Sequence, residues 1–262
     1  MKKHFLLILI LLLAFILRVP FLDKYPAGLN ADEAAVGYNA YSLLQTGRDE
    51  HGTSWPLVFR SFDDYKPAGY FYLVLPFVAA FGLNVWAVRL PSALLGVLSV
   101  YFVYLLTNKL FSKSQIGLLA ALMLTISPWH IHFSRAGWEV NAASTFMVIG
   151  LYFLLKSLLN TKYFLLTTIF FVLSLYTYHS LRIIIPLVSL AFLLIYLPDI
   201  KKPVIISIIF GLLLLVPLGL QFTSQEGRSR FSGVSVFADS GPYWEALEYR
   251  RDHSNIWINR SL

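Results

Sequence analysis

Residues 67–83 read PAGYFYLVLPFVAAFGL, a run without a single charge. Whether this run crosses a membrane decides the fold, because everything after it changes side if it does. A spanning helix needs roughly 20 apolar residues, with about 17 as a lower limit, so length leaves the matter open. The lysines around the other apolar runs settle it. Those runs are 5–22, 88–107, 115–128, 141–159, 163–178, 183–197 and 203–221. Lys2 and Lys3 precede the first; Lys109 and Lys113, Lys156 and Lys162, and Lys201 and Lys202 flank later turns. Cytoplasmic loops collect such lysines. If 67–83 crosses, the later clusters fall outside; if it lies in the interface, every cluster falls inside. The run is therefore read as a juxtamembrane helix, and Pro67 and Pro76 suit a short, broken element.

The fold class that follows is an all-α, polytopic transmembrane helix bundle. It has about seven spans, with juxtamembrane helices in a long first outside loop, 23–87. Further outside segments are expected at about 129–140 and 179–182. The N-terminus is cytoplasmic. The first run resembles a signal peptide only in part: Arg18 and Pro20 follow Leu17 where a small-residue cleavage site belongs. It is read as a retained helix. Residues 1–221 form one transmembrane domain. Residues 222–262 are polar and read as an outside segment, the opening of a C-terminal part that continues.

Composition agrees. The chain has 262 residues, 57% hydrophobic and 13% charged, whereas a soluble domain is about a quarter charged. Tyr and Trp gather at the ends of apolar runs, where amphipathic rings sit at the membrane–water interface. The net charge of +7 lies in short loops, which makes it a topology signal and argues against a nucleic-acid partner. There is no Cys, which excludes disulfides and thiolate metal sites.

Most charges that do not anchor lysine-rich turns lie outside, and ionisable groups clustered on one face of a membrane protein suggest a site there. Asn30-Ala31-Asp32-Glu33 has the pattern of a capping box opening a helix to Gln45, with Gly47 just past its end. Acids at a helix start are stabilised by the macrodipole alone. At headgroup level, however, Asp32 is also placed to act as a general base or to ligate a metal. Asp63-Asp64-Tyr65-Lys66-Pro67 reads as a solvated loop, or as one that sets Lys66 against a phosphate or beside a carboxylate it keeps ionised. Arg89-Leu90-Pro91-Ser92 opens the second span; Arg89 is an interfacial anchor or a site residue. The stretch from Ser127 to Asn141 holds His130, His132, Arg135 and Glu139. Arg135 and Glu139 share a helix face at that spacing and pair or serve a site. The two histidines diverge on a helix and match no zinc spacing. Tyr176 to Arg182 forms a hairpin whose Arg182 is a further phosphate candidate.

The order of these motifs resembles the C-type membrane glycosyltransferases, and within them the protein mannosyltransferase and aminoarabinose transferase superfamily with its bacterial relatives of the Rgt type. The likeness covers roughly 5–182. It rests on Asp32-Glu33 with Tyr38, Ala40, Leu43 and Gly47; on Lys66-Pro67 with Arg89-Leu90-Pro91-Ser92; and on Ser127-Pro128 with Ser134-Arg135 and Glu139. It implies an inverting glycosyltransferase of the plasma membrane that moves a sugar from a polyprenyl-phosphate donor to a lipid, glycan or protein acceptor on the outer face. By that likeness Asp32 is the catalytic base with Glu33 in support, and Lys66, Arg89 and Arg135 bind the donor phosphate. Asp64, Glu139, His130 and Arg182 are supporting candidates. No cofactor is required, and a divalent metal is compatible with the chemistry. The alternatives are a transporter or lipid flippase, whose ionisable groups sit at mid-membrane, and a non-catalytic, truncated membrane protein.

Overall fold

A computed structural model describes residues 2–61, 64–196 and 202–221; the expectations for Asp63 and for the tail 222–262 lie outside the described residues. All eight apolar runs are helical. Helix α1 is Lys2–Arg18, α2 Ala31–Thr46, α3 Gly69–Phe81, α4 Val85–Phe111, α5 Ser114–Ile126, α6 Pro128–Arg135, α7 Glu139–Ser157, α8 Tyr163–Thr177, α9 Leu181–Tyr196 and α10 Lys202–Gln221. The first outside loop also contains an antiparallel hairpin of β1 (Val58–Ser61) and β2 (Asp64–Pro67), with Phe59 opposite Lys66.

The hairpin adds a short two-stranded element to a mostly helical chain, and it places Lys66 on a strand where the sequence reads as a loop. Its residues show why. Phe59 and Ser61 point inward and are buried, and Arg60 between them is exposed, the alternation of a half-buried strand. Leu57 and Ala68 share a backbone hydrogen bond just beyond the ladder. The next pair inward, Val58 and Pro67, is therefore a non-hydrogen-bonded pair. Pro67 removes no ladder bond there, which is why a proline is tolerated.

Among the described residues, three helices are long and apolar enough to cross a membrane: Val85–Phe111, Glu139–Ser157 and Val204–Gln221. A fourth results if α5 and α6, bent by 61° at Ser127, count as one span. Helices α1, α8 and α9, with 17, 15 and 16 residues, lie at or below the lower limit of about 17 for a crossing. Runs of apolar residues thus overstate helix length, because caps and breaks end a helix before its hydrophobicity ends. Ser127 is the clearest case. It caps α6 by accepting from the His130 N–H, and Pro128 takes the first helical position, where its missing N–H does no harm.

Helix α3 has 13 residues, about 20 Å of rise against a hydrocarbon core of about 30 Å. It is too short to cross by itself. Tyr70, Phe71, Val74 and Val78 form its buried face, packed in one cluster with Val36, Ala40 and Leu43 of α2, Val88 of α4 and Phe146 of α7. The Tyr70 hydroxyl donates to the Val88 carbonyl at 2.8 Å, so its burial leaves no polar atom unmatched. Helices α4 and α7 run through the middle. On one side α4 meets α1 and α5; on the other α7 meets α8, α9 and α10. Phe5, Ile8, Leu12 and Ile16 on α1, and Ile183, Leu187, Leu190 and Leu194 on α9, are exposed at helical spacing. Such apolar stripes have lipid as their natural solvent.

Candidate active site

Helix α2 begins as its sequence requires. Asn30 Oδ1 accepts from the Glu33 N–H at 2.8 Å and Glu33 Oε2 accepts from the Asn30 N–H at 3.0 Å. Gly47, at φ 69°, ends the helix in the left-handed conformation that glycine adopts without strain. The cap holds Glu33 inward. The neighbouring residue, Asp32, then points another way round the helix.

Glu33 is 1% exposed and Arg89 is fully buried. Arg89 Nε lies 2.6 Å from Glu33 Oε1 and Arg89 Nη2 2.9 Å from Oε2. The remaining guanidinium hydrogens go to the carbonyls of Leu22, Pro26 and Gly28. Glu33 Oε1 also accepts from the Gly137 N–H at 2.9 Å. All five donors of the guanidinium and both carboxylate oxygens are thereby engaged. Burial pushes the Glu33 carboxyl up. The hydrogen bonds from Arg89, Gly137 and Asn30 and the Arg89 charge outweigh it and hold the group below the usual carboxylate range. This pair fastens four segments: the chain after α1, the start of α2, α4 and the α6–α7 link.

Arg135 is half-buried and likewise binds backbone carbonyls. Its guanidinium donates to the carbonyls of Leu17, Pro20, Phe21 and Tyr25, the turn by which the chain leaves α1. Arg135 and Glu139 do not share a helix: α6 ends at Arg135, and Ala136 is extended, with ψ 157°. The break presents the Gly137 N–H to Glu33. Glu139 becomes the first residue of α7. Asn141, two residues on, donates to the Ser92 carbonyl and hydroxyl at 2.9 and 3.0 Å, and Ser134 Oγ lies 3.5 Å from its Oδ1. Pro91 and Ser92 lie inside α4 rather than in its first turn, because Asn84 caps the helix earlier by accepting from the Ala87 N–H.

The open part of the site is the second ion pair. Asp32 Oδ1 lies 2.6 Å from Lys66 Nζ, with the Asp32 side chain 49% exposed and that of Lys66 7%. The ammonium is closed off by its strand and the carboxylate faces out. Asp64 opens β2 opposite Ser61. Arg182 stands in the first turn of α9 and donates from Nε to the Leu175 carbonyl at 3.3 Å.

Sequence reasoning passed over three contacts. Arg18 is fully buried and donates to the carbonyls of Leu124 and Thr125 and to His130 Nδ1 at 2.8 Å. A guanidinium only donates, so His130 is neutral here with its proton on Nε2. Gly137 and His179 also gained no role from the sequence. The glycine between two helical patterns was the available signal; nothing local marks Arg18 or His179. His132 is exposed and away from His130, and among the described residues no group of three or more His, Asp or Glu gathers as a metal site.

No curated protein matches the chain. The family model described as dolichyl-phosphate-mannose-protein mannosyltransferase matches residues 65–220, which is more than half of the chain. The match takes in Lys66, Arg89, Arg135 and Arg182; Asp32 and Glu33 lie just before it.

Proposed function

We propose, from the premise that this chain belongs to the dolichyl-phosphate-mannose-protein mannosyltransferase family, that it transfers a sugar from a polyprenyl-phosphate donor to an acceptor hydroxyl on the outer membrane face. The family and the apolar helices make it a membrane protein of glycosyltransferase type. The observation that carries the finer reading is the Asp32–Lys66 pair, with its carboxylate open and its cation shut in.

In this mechanism the Asp32 carboxylate takes the proton of the acceptor hydroxyl as its oxygen bonds to the anomeric carbon. The bond from that carbon to the phosphate oxygen breaks on the opposite side, and its electron pair leaves with the phosphate. The configuration at the anomeric carbon inverts. Phosphate is a good leaving group, so the demand is for a base, positioning and cations for the departing charge. Lys66, 2.6 Å from Oδ1, holds the Asp32 carboxylate in place. Glu33, Arg89 and Arg135 hold the platform, since their hydrogen-bonding groups are engaged with protein atoms. The phosphate charge falls to Arg182, in the first turn of α9. A lipid-linked donor suits one further feature. An apolar cavity of about 240 Å³ lies between α8, α9 and α10. It is lined by Phe171, Leu175 and Ile185 among others, and Ile185 is one turn from Arg182.

The test is transfer by purified protein with a panel of polyprenyl-phosphate sugars, reading release of polyprenyl phosphate. Asp32→Asn is expected to lower turnover by about 10²–10⁴, the usual worth of a general base, in protein that still unfolds in a cooperative thermal transition. Wild-type turnover in that variant would remove Asp32 from the role.

A further inference from the structure

Lys66 lies between two points at which its strand and the following helix dock on the α8–α9 turn. On one side, His179 Nε2 is 2.9 Å from the Tyr65 carbonyl. A carbonyl oxygen only accepts, so Nε2 carries the proton and donates. On the other side, α3 begins at Gly69, where a Cβ would overlap Thr177 Oγ1 and come within 2.8 Å of Thr177 Cα and 2.9 Å of the Tyr176 carbonyl. Only a glycine allows that approach. Between these contacts Lys66 is 5% exposed and reaches Asp32.

The strand needs this support. An isolated two-stranded hairpin is marginally stable at best, and each strand here has four residues. Its own ladder cannot fix an ammonium to within hydrogen-bond distance of one carboxylate oxygen on another element. Tyr65 pairs with Arg60, and that pair alternates with the hydrogen-bonded Phe59–Lys66 pair, so the Tyr65 carbonyl points away from β1. His179 meets it on that outer edge.

We propose that His179 is a positioning residue for the Asp32–Lys66 pair: its Nε2–H holds the Tyr65 carbonyl and thereby fixes the strand from which Lys66 reaches Asp32. The proposal rests on the reading of Asp32 and Lys66 as the catalytic pair. It places an anchor of the site on the turn after α8, just before the first turn of α9 where Arg182 stands.

The experiment compares wild type, His179→Ala and His179→Gln as the full chain in detergent micelles. The glutamine retains an N–H donor of similar reach. One readout is acylation of the Lys66 amine by an N-hydroxysuccinimide ester, followed peptide by peptide in a mass spectrometer. The other is kcat and donor KM for sugar transfer. In His179→Ala, Lys66 labelling is expected to rise about fivefold, the worth of one ordinary hydrogen bond. Its kcat is expected to fall at nearly constant KM, and His179→Gln to restore both. Unchanged labelling in His179→Ala overturns the proposal, as does a glutamine variant no better than the alanine. If His179→Ala loses its thermal transition, His179→Asn, too short to reach the carbonyl, takes its place with the same two outcomes. If wild type transfers no sugar from any donor, the enzymatic reading fails while the labelling still decides the tether.

Discussion

Glu33 and Asp32 are adjacent carboxylates with opposite fates, and the difference lies in a helix position. Glu33 closes the capping box and turns inward to Arg89; Asp32 turns outward and meets only Lys66. The buried pair predicts a stability effect rather than a catalytic one. Glu33→Gln leaves an uncompensated buried guanidinium and is expected to cost about 3–5 kcal/mol, read as a lowered midpoint of thermal unfolding in micelles. A variant as stable as wild type would show that the pair does not fasten the fold. The same carboxyl sets a pH dependence. Its folded-state value is depressed from the ordinary 4.5, so its contribution is full above that pH and is lost as pH falls through the lower folded value. Thermal stability should therefore drop on the acid side of 4.5 in wild type, and Glu33→Gln should lack that part of the loss. An acid limb identical in both would assign it to other groups.

Elements pack here through small residues at close approaches, as membrane helices do when no hydrophobic effect drives them together. Gly96 on α4 faces Ser134 on α6, Gly117 on α5 faces the Tyr104 carbonyl on α4, and Gly150 on α7 faces the Phe171 ring on α8. Gly150 is the sharpest test. A Cβ there would overlap the ring, so Gly150→Ala is expected to destabilise by about 1–3 kcal/mol through overpacking. Gly219, where a Cβ meets nothing, is the control, and Gly219→Ala should be near neutral. Equal unfolding midpoints for the two variants would refute the packing. The bent α5–α6 pair belongs to the same scale. Its two arms are joined across Ser127 by Arg18, which holds carbonyls of the first arm and the imidazole of the second.

At the scale of the whole molecule the open question is which ends face which side. By the positive-inside rule, the lysine clusters predict the N-terminus, Lys113 and Lys202 in the cytoplasm and Gly47 outside. Reporter fusions after Gly47, Lys113 and Lys202 are expected to report outside, inside and inside. Lys113 outside would mean that 67–83 crosses, against the 13-residue length of α3. The structure supplies a second reason for the placement. The face of α3 that packs on α2, α4 and α7 is continuous with the hairpin that carries Lys66, so moving α3 across the bilayer would take the strand from Asp32.

The sequence by itself determined the membrane class, the helical character of every apolar run, the cap at Asn30 and Glu33 and the stop at Gly47. These are local properties: they depend on hydropathy and on residues three or four apart. Asp32 and Lys66 also stood out in the sequence as site candidates, through motif order. Only the tertiary structure decided which groups each charge meets. Glu33 and Arg89 are 56 residues apart in the chain, His179 and Tyr65 114, and no local pattern records such a distance. Arg89 and Arg135 illustrate the limit. A sequence shows that an arginine is present near a membrane face; whether it meets a phosphate or five carbonyl and carboxylate oxygens depends on which segments fold around it. The short hairpin was hidden for the same reason, because four-residue strands draw their stability from the helices they touch.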